Sequence, residues 1–186
     1  MEVASSVNSF DYNTKYKLYR NVNSIIHPTI SKRNITDYRL VVNNKCLPLY
    51  IYYPNKLSVV NGIIIYVHGR EDKLFGRYSD VCDGLAKELN ELVIAIDYDN
   101  VEGDEIYNKC KITIDYLYQE LVRLNVDSDR IVLMGDYLGS DIVLNIAKDM
   151  DTKLILINPS NKNINSKSVL VIDSLSKELN EVKKFL

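Results

Sequence analysis

The amino-acid sequence predicts an α/β fold in which helices cover both faces of a mostly parallel sheet, and three observations support this fold class. Short runs of consecutive apolar residues recur along the chain, as expected of strands that are buried on both faces. Patterns with the 3.6-residue period of amphipathic helices separate these runs, which is typical of βαβ units. The segment 130–147 joins an apolar strand, a glycine-flanked turn and an apolar helix directly.

The predicted elements follow one another in a simple order. Two β-rich runs, 36–42 and 47–53, predict an antiparallel hairpin, and Pro48 indicates that its second strand lies near a sheet edge. Five apolar runs then predict parallel strands at 63–67, 92–96, 130–134, 153–157 and 169–172. Helical patterns predict helices at 78–90, 105–124, 138–150 and 176–185.

Length and composition indicate one domain preceded by an arm. The chain has 186 residues, of which 46% are hydrophobic and 26% are charged, and these are ordinary values for a single globular domain. Residues 1–34 are polar and rich in Asn and Ser, so we predict an N-terminal arm at 1–34 and a single domain at 35–186. The arm carries tyrosines that are suited to covering the domain or to dimerisation.

Charge and cysteine content exclude several classes of function. A net charge of −2 and a pI near 5.7 provide no basic surface, so we expect neither nucleic acid nor a membrane as a partner. Three widely spaced cysteines indicate neither a disulfide framework nor a zinc site, and we expect no metal or other cofactor. The N-terminus lacks a signal-peptide pattern and no apolar run is long enough to span a bilayer, which favours a cytoplasmic location.

The turn at 135–139 has the G-x-x-x-G spacing of a nucleophile elbow, the sharp strand-to-helix turn that presents the reactive side chain of certain hydrolases. The predicted elbow residues are Gly135, Asp136, Leu138 and Gly139, around a central Tyr137. A working elbow of this kind carries serine at the centre. Because a phenol has an ordinary pKa of about 10 and no activating base is evident, the sequence predicts no ordinary nucleophile at this position.

Four segments in a fixed order carry a resemblance to a known family. The segments IIIYVHGR, YSDVCDGLAKEL, VIAIDYD and VDSDRIVLMGDYLGS resemble the α/β-hydrolase fold family, and specifically its hormone-sensitive-lipase-like branch of esterases and lipases. The later segment DSLSKE is similar to the stretch that carries the acidic triad residue in that branch. The resemblance implies a three-layer α/β-hydrolase-like sandwich with an N-terminal antiparallel hairpin. It places Tyr137 at the nucleophile position and Asp173 at the acid position.

The same resemblance indicates that catalytic parts are missing. The family's histidine would follow Asp173 after one more strand, whereas this chain ends at Leu186, and the two histidines, His27 and His68, precede the elbow. The remnant of the oxyanion loop consists of His68, Gly69 and Arg70, without the family's further glycines. The loop at 158–168 is too short for the family's cap. We therefore expect a fold that is truncated after its seventh strand and that lacks a cap domain.

Several of these residues also have purely structural interpretations. Tyr137 would plug the remaining pocket, and Asp136 would complement the helix dipole. Ser140, one turn into the helix, would serve packing or capping instead of replacing the nucleophile. Asp173 would be the N-cap of the last helix. Arg70 belongs to a solvated charged loop, or alternatively binds an anion at the former oxyanion site.

These observations predict a catalytically inactive esterase- or lipase-like protein that acts by binding a protein or a small molecule. Two of the three members of a Ser-His-Asp triad are missing from this sequence, so we expect no ordinary esterase turnover. The alternative is a hydrolase of small carboxylic esters or lipids that uses an atypical nucleophile or a histidine supplied by a partner. An uncovered sheet edge would favour association, and a homodimer is the expected form.

Overall fold

A computed structural model describes residues 35–42, 45–55, 62–69, 75–98, 103–124, 126–161, 164 and 168–186. The arm predicted at 1–34 and Arg70 of the oxyanion-loop remnant lie outside these residues. The division into an arm and one domain therefore stays a prediction.

A seven-stranded sheet in the order β1-β2-β4-β3-β5-β6-β7 forms the centre of the fold. The strands are β1 (Ile35–Val42), β2 (Lys45–Tyr52), β3 (Ile63–Val67), β4 (Leu92–Ile96), β5 (Ile131–Asp136), β6 (Lys153–Ile157) and β7 (Val169–Ile172). The five strands from β3 to β7 are parallel to one another, whereas β2 pairs antiparallel with both β1 and β4. The predicted hairpin and the five predicted parallel strands are thus confirmed.

Pro48 lies where a proline can be accommodated in the sheet. Strand β2 is second from the edge, and its pairing with β4 begins at Leu49, one residue after Pro48. The Pro48 carbonyl oxygen still accepts a hydrogen bond from the Asp97 amide at 3.1 Å. Since proline has no N–H to donate, its position just outside the β2–β4 ladder avoids the loss of a sheet hydrogen bond.

Four helices in the described part of the chain cover the two faces of the sheet. They are α1 (Phe75–Leu89), α2 (Asp104–Arg123), α3 (Leu138–Ile146) and α4 (Leu175–Phe185). Helix α3 is shorter than predicted, because a 3-10 turn, Ala147–Asp149, replaces its last turn. None of the helices that the structure describes is both long and apolar enough to cross a membrane.

Alternation along the central strands divides the core into two halves. Ile63, Ile65 and Val67 of β3 pack on the face covered by α2 and α3. Ile64 and Tyr66 of the same strand pack on the face covered by α1 and α4. Because both faces of the sheet are covered, every residue of β3 and β4 is buried, which explains their continuous apolar sequences. The result is a three-layer sandwich, as predicted.

Candidate functional site

The turn between β5 and α3 has a strained backbone at its centre. Tyr137 has φ 45° and ψ −117°, a conformation that residues with a side chain rarely adopt and that costs about 1–3 kcal/mol. The Tyr137 amide donates to the carbonyl oxygen of Ile157 at 2.8 Å, and its own carbonyl accepts from the Ser140 amide at 3.0 Å. These two hydrogen bonds hold Tyr137 at the tip of a sharp elbow, where 42% of its surface is exposed.

Both glycines of the elbow are required by close packing. A Cβ atom on Gly139 would overlap the carbonyl oxygen of Val67, because the first turn of α3 lies directly on β3. A Cβ atom on Gly135 would overlap the backbone of Gly139 in the same way. The G-x-x-x-G spacing therefore reflects the contact of a helix with two adjacent strands, and larger residues would push the elbow off the sheet.

Ser140 is part of the frame of the elbow. It is fully buried, and its Oγ donates to the carbonyl oxygen of Gly135 at 2.6 Å and accepts from the Ile157 amide at 3.0 Å. One hydroxyl thus ties α3 to β5 and to β6. This geometry agrees with the structural role expected for Ser140, since a buried hydroxyl that already serves two backbone groups is a poor nucleophile.

The carboxyl group of Asp136 connects the elbow to the end of β3. It accepts hydrogen bonds from the Gly69 amide and from the Tyr66 hydroxyl. Burial raises the pKa of Asp136 above its usual range, and these two hydrogen bonds oppose the rise. The expectation that Asp136 mainly complements the helix dipole was therefore incomplete, because the carboxyl group is engaged by specific donors. This contact also occupies the Gly69 amide, which belongs to the predicted oxyanion-loop remnant.

His68 is packed at the end of β3 and is only 2% exposed. Its ring stacks on Tyr98, with 4.4 Å between the ring centroids and 12° between the planes. The Tyr98 hydroxyl donates to the His68 carbonyl oxygen, and the His68 Nδ1 lies 3.1 Å from the Gly69 carbonyl oxygen. Sequence reasoning missed the contribution of Tyr98, although its position two residues after β4 places it beside the end of β3.

A cavity of about 440 Å³ opens beside the elbow, at the carboxyl ends of the parallel strands. We call it the elbow cavity; it is lined by Tyr66, Asp80, Val81, Gly84, Leu85, Glu88, Asp136, Tyr137, Ile157, Asp173, Ser174, Leu175 and Leu179. It brings Tyr137 and Asp173, the predicted nucleophile and acid positions, to one site. Among the residues described by the structure, no group of three or more His, Cys, Asp or Glu side chains could hold a metal ion.

Asp173 does not cap the last helix as predicted. The N-cap is Ser174, which has the extended backbone φ −152° and ψ 122°, and Asp173 precedes it. The Asp173 amide donates to the Glu178 carboxylate at 3.0 Å, so the first turn of α4 reaches back to the residue before the cap. The prediction was wrong by one residue because Asp and Ser are both good capping residues and stand next to each other.

Comparisons with known proteins show the fold through solved structures. Neither a protein-family model nor a curated protein matches the sequence. The Francisella virulence factor BioJ aligns with a TM-score of 0.57 and 18% identity, covering 82% of this chain and 52% of BioJ. An esterase from the archaeon Pyrobaculum calidifontis aligns with a TM-score of 0.56 and 17% identity, covering 83% of this chain and 53% of the esterase.

A third structure names the fold. LAE6, an α/β-hydrolase enzyme from the metagenome of Lake Arreo, aligns with a TM-score of 0.57 and 15% identity, covering 82% of this chain and 52% of LAE6. The chain spans about half the length of these structures. The likeness confirms the predicted α/β-hydrolase fold, and the structural neighbours include proteins named as esterases.

Proposed function

We propose that this chain is a catalytically inactive protein of the α/β-hydrolase fold, a pseudoenzyme of the esterase and lipase type, that acts by binding at the elbow cavity. The observation that carries this proposal is the placement of Tyr137. Its backbone has the strained conformation of a nucleophile elbow, yet the exposed side chain at the tip is a phenol. The position lacks the serine hydroxyl or cysteine thiol that acyl transfer at such an elbow ordinarily uses.

Three of the described groups near the elbow have contacts that compete with a role in catalysis. A general base must reach the nucleophile with a free ring nitrogen or carboxylate, whereas His68 is buried and stacked on Tyr98. The Asp136 carboxyl group accepts hydrogen bonds from two donors. The Gly69 amide, which would stabilise an oxyanion, donates to Asp136 instead. Each of these groups has a structural task that competes with catalysis.

The surroundings of the elbow support a binding role. A cavity of about 440 Å³ falls within the size range of small-molecule sites, which in open α/β sheets lie at the carboxyl ends of the strands. Tyr137 and Leu138 are 42% and 41% exposed beside it. Adjacent exposed apolar side chains next to a cavity are typical of a surface that contacts a ligand or a protein.

The test is a search for hydrolysis with matched variants. The full chain is incubated with a fluorophosphonate probe and with short-chain p-nitrophenyl esters, alongside the variants Tyr137→Phe and Ser140→Ala and an active esterase. We expect neither labelling nor turnover above the buffer rate from the wild-type chain or from either variant, whereas the active esterase shows both. Turnover or labelling that Tyr137→Phe or Ser140→Ala abolishes would overturn the proposal.

The alternative is a hydrolase of small carboxylic esters or lipids that uses an atypical nucleophile or a histidine supplied by a partner. Two observations favour it: the strained elbow backbone is retained, and structural neighbours are named as esterases. The variant Tyr137→Ser separates the two proposals. Catalysis by a supplied histidine predicts that Tyr137→Ser gains ester turnover when the partner is present, whereas the inactive protein gains none.

Association of two copies is a second form of binding that we propose for this chain. In the sheet as described, β7 is the outermost strand at one edge and pairs with β6 alone. Edge strands offer unpaired backbone groups to another chain. Gel filtration with light scattering tests this: we expect a homodimer, and a strict monomer at high concentration would contradict it.

A further inference from the structure

A second cavity, of about 510 Å³, opens at the amino ends of the parallel strands. We call it the amino-end cavity; it is lined by Gly62, Glu88, Leu89, Glu91, Asp129, Arg130, Val132, Lys183 and Leu186. Gly62, Glu91 and Arg130 directly precede β3, β4 and β5, which are neighbouring strands of the sheet. The two cavities share Glu88 and no other described lining residue. The amino-end cavity is therefore a separate site.

The side chain of Glu91 gives this cavity an unsatisfied polar group. It is only 4% exposed, and its Oε2 has no hydrogen-bond partner among the residues that the structure describes. The Gly62 amide favours the charged form of the carboxyl group, and Oε2 lies 3.0 Å from the point where a Cβ atom on Gly62 would stand. Because a buried oxygen without a donor is costly, an occupant that donates a hydrogen bond to Oε2 is favoured.

The charged groups around Glu91 balance one another. Glu88 and Lys183 form an ion pair between α1 and α4, at 3.7 Å. Asp129 and Arg130 contribute one charge of each sign to the lining. Burial raises the pKa of Glu91 to about 7, so this group carries less than a full negative charge at neutral pH. Since an ion would lose its hydration without meeting a net opposite charge, a neutral occupant is favoured.

We propose that the amino-end cavity binds a neutral primary carboxamide with a short apolar chain, whose N–H group donates to the Oε2 of Glu91. An amide has a donor and an acceptor on neighbouring atoms, so it pairs with a carboxyl group in either protonation state. The chain packs against Leu89, Val132 and Leu186, the larger apolar residues of the lining. The inference concerns a different cavity from the function proposed above and does not depend on it.

Three probes of nearly the same shape isolate the hydrogen-bond donor. Pentanamide, 2-hexanone and pentanoate share a butyl chain on a carbonyl carbon, and differ in whether that carbon carries NH₂, CH₃ or O⁻. Each is titrated into the full chain at pH 7, and NMR shifts report affinity and location. We expect millimolar binding of pentanamide, with shifts at Gly62 and Val132. We expect 2-hexanone to bind about fivefold or more weakly although it is more apolar, and pentanoate to bind weakly as well.

Two substitutions of Glu91 test the contact itself. Glu91→Met removes the acceptor and keeps a side chain of similar length, so the preference for pentanamide over 2-hexanone should disappear. Glu91→Gln keeps an acceptor oxygen and should retain the preference. The matched control is Glu105→Met, because Glu105 is exposed and lies outside the described lining of the cavity; it should also retain the preference. Circular dichroism checks that each variant is folded.

The outcomes separate this inference from the proposed function. Equal binding of 2-hexanone and pentanamide by the wild type, shifts confined to the elbow cavity, or no binding of pentanamide at tens of millimolar overturns it. A preference for pentanamide that survives in folded Glu91→Met also overturns it, because the donor would then be recognised elsewhere. None of these results bears on catalytic inactivity, which the ester assay decides.

Discussion

Two carboxyl groups at opposite ends of the parallel sheet, one half-buried and one buried, differ in their hydrogen-bond partners. Asp136, at the carboxyl end of β5, accepts hydrogen bonds from Gly69 and Tyr66. Glu91, directly before β4 at the amino end, is 4% exposed, and its Oε2 has no hydrogen-bond partner among the described residues. Burial raises the pKa of both groups. At the end of the sheet that carries the candidate site, hydrogen bonds therefore offset the cost of burying a carboxyl group better than at the other end.

The comparison indicates where rigidity is concentrated. At the elbow end, backbone strain at Tyr137 is held by hydrogen bonds and by glycine contacts. At the opposite end, the charged form of Glu91 is favoured by the Gly62 amide and the more distant charges of Arg130 and Lys153, which do not outweigh burial. A rigid elbow beside a cavity suits a binding site, since a preorganised site loses less entropy when a ligand binds.

The largest loss of stability is expected from Gly139→Ala, which disrupts the packing of the elbow on the sheet. A methyl group would overlap the carbonyl oxygen of Val67 in the centre of the sheet, so we expect a loss of about 3 kcal/mol or more in the free energy of unfolding. The matched control is Gly84→Ala in α1, where a Cβ atom meets nothing within 4 Å; there we expect a gain of about 0.5–1 kcal/mol. Urea denaturation measures both, and an undamaged Gly139→Ala would contradict the packing account.

The second prediction concerns Glu91 at the amino end of the sheet and the way in which the stability of the protein depends on pH. Burial raises the pKa of Glu91 from 4.5 to about 7, so between these values the folded state holds a proton that the unfolded state has lost. The contribution of Glu91 to stability is therefore full below pH 4.5 and is lost as the pH rises to 7, by at most about 3 kcal/mol for this shift. Above pH 7 it stays constant.

The variant Glu91→Gln lacks the titrating carboxyl group, so its free energy of unfolding relative to the wild type measures the contribution of Glu91. We expect Glu91→Gln to match the wild-type stability near pH 5 and to exceed it at pH 8, in denaturation curves recorded across this range. Glu105→Gln, at an exposed carboxyl group in the first turn of α2, controls for the loss of one negative charge. A constant difference between Glu91→Gln and the wild type at all pH values would show that the buried carboxyl group does not titrate as described.

A smaller loss is expected from Ser140→Ala at the elbow end. The substitution leaves the Ile157 amide and the Gly135 carbonyl without the hydroxyl that serves both, which costs about 1–3 kcal/mol when the groups stay buried. Ser140→Cys keeps the size and a weak hydrogen-bonding group, so we expect it to recover part of the loss. Thermal unfolding of both variants checks this, and a Ser140→Ala protein as stable as the wild type would show that the hydroxyl is dispensable.

The central sheet could be predicted from the sequence because its signal is local. Strands buried on both faces need uninterrupted apolar residues, and the five runs predicted as parallel strands agree with β3 to β7 within two residues. The elbow was visible for a similar reason, since its glycine spacing is a property of five consecutive residues. The helix ends were predicted less precisely, because a 3-10 turn or a neighbouring cap residue moves the end of a helix without changing the apolar pattern.

The contacts that define the site could not be predicted in this way. The Asp136 carboxyl group meets the Gly69 amide across 67 positions of sequence, and the Tyr98 hydroxyl meets the His68 carbonyl across 30. Glu91 resembles any polar residue between a helix and a strand, and no periodicity marks it as buried. Such contacts depend on which strands are neighbours and in what register, and local composition does not specify either of these.

The smallest expected effect sharpens the interpretation of Tyr137. At φ 45° and ψ −117° a glycine is unstrained, so Tyr137→Gly should gain about 1 kcal/mol or less in stability once the flexibility of glycine in the unfolded state is subtracted. Tyr137→Ala removes the phenol and keeps the strain, and should show no gain. If the two variants unfold at the same denaturant concentration, the backbone is not strained at the elbow. If the gain appears, the protein retains a strained turn that its fold does not need, which supports a role for the Tyr137 side chain at the cavity.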